Sequence, residues 1–129
     1  MGLHLIRERV WRVYAWCDEQ GRCQVQEFLT QLEANDPKEH AVVDRRIMFL
    51  AERGTDYRNK EQCRSLGDDV YELKTRRKGI RLYFFFDMDR IVICTHAGIK
   101  KKGDAGLNQE KARVRRILQE HRSQRSGDS

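Results

Sequence analysis

Between residues 69 and 99 the chain carries three short apolar runs, "DVYELKT", "IRLYFFFD" and "RIVICTHA", separated only by turn-sized polar gaps. Few folds accept that pattern. Runs rich in β-branched and aromatic residues predict strands, and gaps this short force successive strands to pair antiparallel, as a meander. The elements that could cover such a sheet lie on either side of it. "QVQEFLTQLEA" sets Val25, Phe28, Leu29 and Leu32 at helical spacing. "NDPKEHAVVDRRIMFLAERG" predicts a second helix, with Asp36 as N-cap, Pro37 at its first position, Val43, Ile47 and Leu50 as its apolar stripe and Gly54 as its stop. "VWRVYAWC", residues 10–17, predicts a first strand, residues 55–65 a connecting loop, and "NQEKARVRRILQEH" a last helix capped by Asn108. The expected class is α+β: a small antiparallel sheet built from a strand, two helices, a three-strand meander and a C-terminal helix, with the helices on one face. A length of 129 residues supports one domain. Residues 10–121 are expected to form it, with 1–9 as an N-terminal extension and 122–129 as a disordered tail.

Register turns the meander into a candidate site. A four-residue first turn, "RRKG", pairs Thr75 with Ile80 and Lys74 with Arg81. A second turn centred on Met88 and Asp89 pairs Phe86 with Ile91 and Arg81 with His96. Lys74, Arg81 and His96 are then expected as one row on one face, with Cys94 alternating beside His96. Tyr71, Leu73, Ile80, Leu82, Phe84, Phe86, Ile91 and Ile93 are expected on the other face, as the seat of the helices. Adjacent cations on a sheet repel, so the row calls for an anion. Glu72 could supply it internally; a phosphate could supply it from outside, with Arg81 suited to bidentate contact and Lys74 acting as a point charge.

Charge points toward an anionic partner. The net charge is +6, yet residues 1–68 hold 11 Lys+Arg against 12 Asp+Glu, whereas residues 69–129 hold 15 against 8. Nucleic acid fits this asymmetry better than a membrane surface, because no basic amphipathic helix with an aromatic face is present. Arg76, Arg77 and Lys78 at the turn are expected to dock RNA backbone. Lys100, Lys101 and Lys102, in "GIKKKG", would extend the cationic surface beyond His96. No apolar run long enough to span a membrane and no signal-peptide pattern occurs, so a cytoplasmic location is expected. Cys17, Cys23, Cys63 and Cys94 form no CxxC pair and are expected as reduced thiols, with Cys17–Cys23 the one locally plausible bridge.

The chemistry these residues allow is narrow. GxxxxGK[ST] and GxGxxG are absent, and His4, His40, His96 and His121 lack metal-ligand spacing, so neither a nucleotide cofactor nor a metal is expected. A cationic face with a histidine can instead support RNA cleavage by its own 2′-hydroxyl, which needs a base, an acid and cations for the charge that develops on phosphorus. His96 is the best base or acid by residue type, and a neighbouring cation favours its neutral form.

The order of these segments resembles the RelE superfamily of type II toxins, in its HigB-like, phage-related branch, over about residues 10–121. The carrying pieces are "VQEFLTQLEAN", a second helix ending "FLAERG", then "LGDDVYELKTRRKGIRLYFFFD", "IVICTHAGIKKKG" and a helix from "NQEKARVRRI". The resemblance implies a ribosome-dependent mRNA endonuclease that needs no metal or cofactor. It also implies a cognate antitoxin, expected as a helix-turn-helix protein, beside the ribosome and mRNA as partners. Lys74 and Arg81 fall where the family has basic residues of its catalytic sheet, Lys100 and Lys101 match its paired basic residues, and His96 matches the histidine before that pair. Where many members then place a tyrosine or histidine, this chain has "GDAGLN". The alternative is a non-catalytic module of the same fold that binds an antitoxin, DNA or a target such as gyrase.

Overall fold

The computed structural model describes residues 2–100 and 107–127. The elements in chain order are β1 (Gly2–Glu8), β2 (Arg12–Cys17), α1 (Gln24–Asn35), α2 (Pro37–Arg53) and a 3-10 turn (Gly54–Asp56). β3 (Cys63–Gly67), β4 (Val70–Lys74), β5 (Ile80–Asp87), β6 (Ile91–Ile99) and α3 (Leu107–Gly127) follow. The architecture is α+β, a six-stranded sheet ordered β1-β2-β6-β5-β4-β3. It is mixed: β2 runs parallel to β6, and the other neighbours are antiparallel; after β2 the α1–α2 excursion carries the chain to β3 at the far edge, and the meander β3 to β6 brings it back beside β2.

Two segments form strands that their composition did not predict. β1 occupies the expected N-terminal extension as an edge strand with no buried residue, and so shows no inward-facing alternation. β3 falls in the expected loop and pairs with β4 around Asp68 and Asp69, both at positive φ (56° and 65°), the backbone of a tight two-residue hairpin turn. At the other end, α3 continues to Gly127, through most of the stretch expected to be a disordered tail.

The helical hairpin forms as its sequence dictates. Asp36 accepts a hydrogen bond from the Glu39 N–H (3.2 Å), Pro37 fills the first turn where no N–H is needed, and the Gly54 N–H closes on the Leu50 carbonyl. Val25, Leu29 and Leu32 of α1 and Val43, Ile47 and Leu50 of α2 pack on Val13, Ala15, Leu73, Leu82, Phe84 and Val92. A second core lies on the opposite face, where Val114, Ile117 and Leu118 of α3 cover Val70, Tyr83, Phe85 and Ile93. Each large side chain so buried contributes about 1.5–3 kcal/mol of transfer free energy. The sheet is therefore covered on both sides, not one, and the candidate face lies under and beside α3.

The register confirms one half of the expectation and corrects the other. Thr75 N–H donates to the Ile80 carbonyl (3.0 Å), Gly79 takes φ 66°, and Lys74 lies opposite Arg81, as the four-residue turn requires. The β5–β6 connection instead leaves Asp87 opposite Ile91, with Asp89 and Arg90 in the left-handed region. A bulge follows: Tyr83 pairs with His96 but Phe84 with Cys94, so Thr95 is the extra residue. Arg81 accordingly faces Gly98, not His96. The one-residue slip moves Ile91 and Ile93 to the α3 side, while Cys94 joins the core under α1 and α2.

The paired cysteines also differ from expectation. Cys17 and Cys23 form a disulfide that closes the β2–α1 connection, whereas Cys63 and Cys94 are free and buried.

Candidate functional site

Glu72, Lys74, Arg81, Tyr83 and His96 reach one sheet face because each stands an even number of positions from, or directly across from, another. β3 adds Arg64, opposite Glu72. Glu72 is 1% exposed and receives Arg64 Nε at 2.6 Å. Arg81 Nε lies 3.7 Å from the second carboxylate oxygen, an ion pair without a hydrogen bond. The internal anion expected from Glu72 is thus present, but one carboxylate faces three cations: Arg64, Arg81 and Lys74. A surplus of positive charge remains. Burial, with Arg64 and Arg81 nearby, holds the Lys74 ammonium below its usual pKa.

His96 belongs to a different set of contacts. Its ring stacks on Tyr83 at a centroid distance of 4.7 Å. Nε2 meets Glu110 of α3, and Nδ1 lies 3.0 Å from the Thr95 hydroxyl, which sits on the bulge. Burial is the largest influence on the imidazole and lowers its pKa; the Arg113 charge acts in the same direction and Glu110 opposes both. Both ring nitrogens are engaged and the side chain is 3% exposed. His96 is thus oriented by its neighbours. Burial, with the Glu72 and Glu110 charges, pushes the Tyr83 hydroxyl up to about 12.

The turn cations have partners inside the fold. Arg77 bonds Asp36 (2.8 Å) and Glu39 (3.2 Å), and Lys78 bonds Asp36 (2.6 Å), so the β4–β5 turn is clasped to the start of α2. Arg76 meets Glu61 only at 3.5 Å with both side chains largely exposed, a contact of little weight. The hydrogen bond from Lys78 and that from the Glu39 N–H hold Asp36 below its ordinary pKa of 3.8. Because the folded value lies under the unfolded one, this carboxylate stabilises the fold fully above pH 3.8 and the effect is lost as pH falls through the folded value. Asp36→Asn is expected to lower the urea midpoint at pH 7 and to converge with wild type in strong acid; a constant gap at both pH values would contradict the clasp.

Lys100 follows β6, its N–H bonded to the Gly79 carbonyl at 2.9 Å, which ties Lys100 to the β4–β5 turn. Lys101 and Lys102 lie outside the described residues, as does all of "GDAG". Among the described residues no group of three His, Cys, Asp or Glu side chains could hold a metal ion, and no helix is long and apolar enough to cross a membrane.

Sequence reasoning missed Arg64, Tyr83 and Glu110. The first was legible in principle, since "CRSL" and "VYEL" flank a two-residue Asp-Asp turn that places Arg64 near Glu72. The Glu110–His96 contact carries no local signal, because it depends on which face α3 covers.

The fold thus defines a small α+β domain with a cation-rich sheet face beside its last helix. Residues 30–120 match the phage-derived Gp49-like family (DUF891), and the chain belongs to that family, a toxin-like one in the neighbourhood of RelE and HigB. The match takes in α2, β3 to β6 and most of α3, hence every site residue discussed above. No curated protein matches the chain.

Proposed function

We propose that the chain is the toxin of a type II toxin–antitoxin pair and cuts mRNA on the ribosome by attack of a 2′-hydroxyl on its own phosphodiester. The observation that carries this reading is the cluster of Arg64, Lys74 and Arg81 around the single buried carboxylate of Glu72. The attack forms a 2′,3′-cyclic phosphate and releases a 5′-hydroxyl, and the intervening phosphorane carries extra negative charge. Arg81 meets that charge. Lys74, its pKa lowered, relays a proton, and Lys100, with Lys101 and Lys102 next to it in sequence, adds cations for the RNA. His96, bonded to Glu110, fixes Tyr83 and the end of β6 rather than acting as the base. Arg76 docks RNA backbone, with Arg77 and Lys78 stiffening the turn behind it. The partners are the ribosome, mRNA and a helix-turn-helix antitoxin, in the cytoplasm.

Induction of the gene with mapping of transcript ends tests this. Cuts within translated messages, bearing 5′-hydroxyl ends and vanishing when translation is blocked, are the expected outcome. Growth arrest with intact transcripts would sink the nuclease reading. The sealed position of His96 favours one alternative, a non-catalytic binder; a DNA-damage response with uncut mRNA would point to gyrase as its target.

A further inference from the structure

Glu72 is shared unequally. Its Oε1 is held by Arg64 at 2.6 Å, while its Oε2 lies 3.7 Å from Arg81 Nε. That oxygen and that nitrogen are both buried, and neither has a hydrogen-bond partner among the described residues. A buried donor and a buried acceptor this close ordinarily close the gap, because leaving each unsatisfied is costly. A small rotation of the Glu72 carboxylate would join them. The contact that opposes such a rotation is the short bond to Arg64, whose strand lies on the far side of β4 from Arg81.

We propose that Arg64 is a positioning residue: by holding Glu72 on the β3 side, it keeps the Arg81 guanidinium from hydrogen-bonding that carboxylate and so leaves it ready for a phosphodiester of the substrate. This rests on reading the cluster as a phosphate site. Without Arg64, Glu72 at 1% exposure cannot turn to water and closes on Arg81. A phosphate would then have to displace a buried carboxylate before it could bind. The arrangement gives the minor strand β3 a role in the site without touching substrate, and it explains a buried acid in the middle of a surface that recognises anions. Lys74 lies in the same field: burial does most to lower its pKa, Arg64 and Arg81 add to the effect, and Glu72 opposes it.

Two readouts on the full chain test this. The first is the Arg81 Nε–H signal by NMR without ligand, in wild type, Arg64→Ala and Arg64→Lys. A downfield, exchange-protected signal is expected in Arg64→Ala, with Arg64→Lys close to wild type; an Arg81 signal unmoved by Arg64→Ala overturns the proposal. The second is affinity for ribosomes programmed with a short mRNA made uncleavable by a 2′-deoxy substitution, with thermal melts confirming that each variant is folded. Arg64→Ala is expected to weaken binding roughly tenfold, and Arg64→Ala/Glu72→Gln to regain the affinity of Glu72→Gln alone. A double variant as weak as Arg64→Ala would show that Arg64 itself grips the phosphate, and would overturn the positioning role. If wild type binds no programmed ribosome, the phosphate-site reading fails and the proposal with it, while the NMR result still reports whether Arg64 governs Glu72.

Discussion

Arg81→Ala is expected to slow cleavage of ribosome-bound mRNA by roughly 10²–10³-fold, the usual effect of removing one preorganised donor from a developing oxyanion. The side chain is 16% exposed, so its guanidinium is desolvated and pre-aimed, not free to wander, and its charge acts at a lower effective dielectric than a surface arginine would. The fold should survive. Glu72 keeps its short bond to Arg64, and the register of β5 is fixed by Leu82 and Phe84 in the core beneath. Arg81→Lys should fall between the two, since it keeps a point charge but loses the planar fork that matches a phosphate. The measurement is a single-turnover time course on programmed ribosomes, with circular dichroism to show an unchanged fold. A rate within a few-fold of wild type would remove Arg81 from the chemistry, and with it the cluster as the reacting centre.

The pairing of Lys74 with Arg81 was legible because its turn is specified locally. Thr75 caps it through its hydroxyl, which accepts from the Ile80 N–H at 3.1 Å, and Gly79 supplies the positive φ. His96 was placed on the right face for an incomplete reason. The β5–β6 turn shifts the expected pairing by one residue, and the bulge at Thr95 shifts it by one more. Two slips restore the face, since side chains alternate with a period of two, but move His96 from Arg81 to Tyr83. Nothing in "ICTHAG" marks that bulge. Its hydrogen bonds run to the Tyr83 carbonyl and the His96 ring, and exist only once the strands have met. β1 was hidden for the opposite reason: Leu3 and Leu5 are 40% and 44% exposed, so that edge strand has no buried face to write into its sequence. The turn cations were read as a docking edge because charge alone does not reveal a partner 41 residues away, as Asp36 is from Arg77.

Among the described glycines, Gly54→Ala is expected to be the most destabilising substitution. Gly54 ends α2 and was readable as a helix stop, yet its side-chain vector does more than terminate a helix. Its φ of 53° with ψ −123° lies where an alanine is strained, a cost of about 1–3 kcal/mol. An added Cβ would also sit 1.9 Å from Trp11 Cε2 and 2.2 Å from Nε1. The indole has little room to retreat. The Trp11 backbone N–H is bonded to the Ala51 carbonyl at 2.8 Å, and the ring meets Phe86 edge-on at 5.4 Å. Forced overpacking of this kind adds about 1–3 kcal/mol, so the sum takes a large share of the roughly 5–15 kcal/mol that stabilises a domain. Gly21→Ala is the matched control, because Gly21 has φ 79° but nothing within 4 Å of its missing Cβ. It should show the backbone cost alone. Urea unfolding followed by tryptophan fluorescence separates the two, and the gap between them measures the Trp11 contact. Equal losses would mean that Trp11 yields freely, and that the segment before β2 is not locked to α2 through that ring.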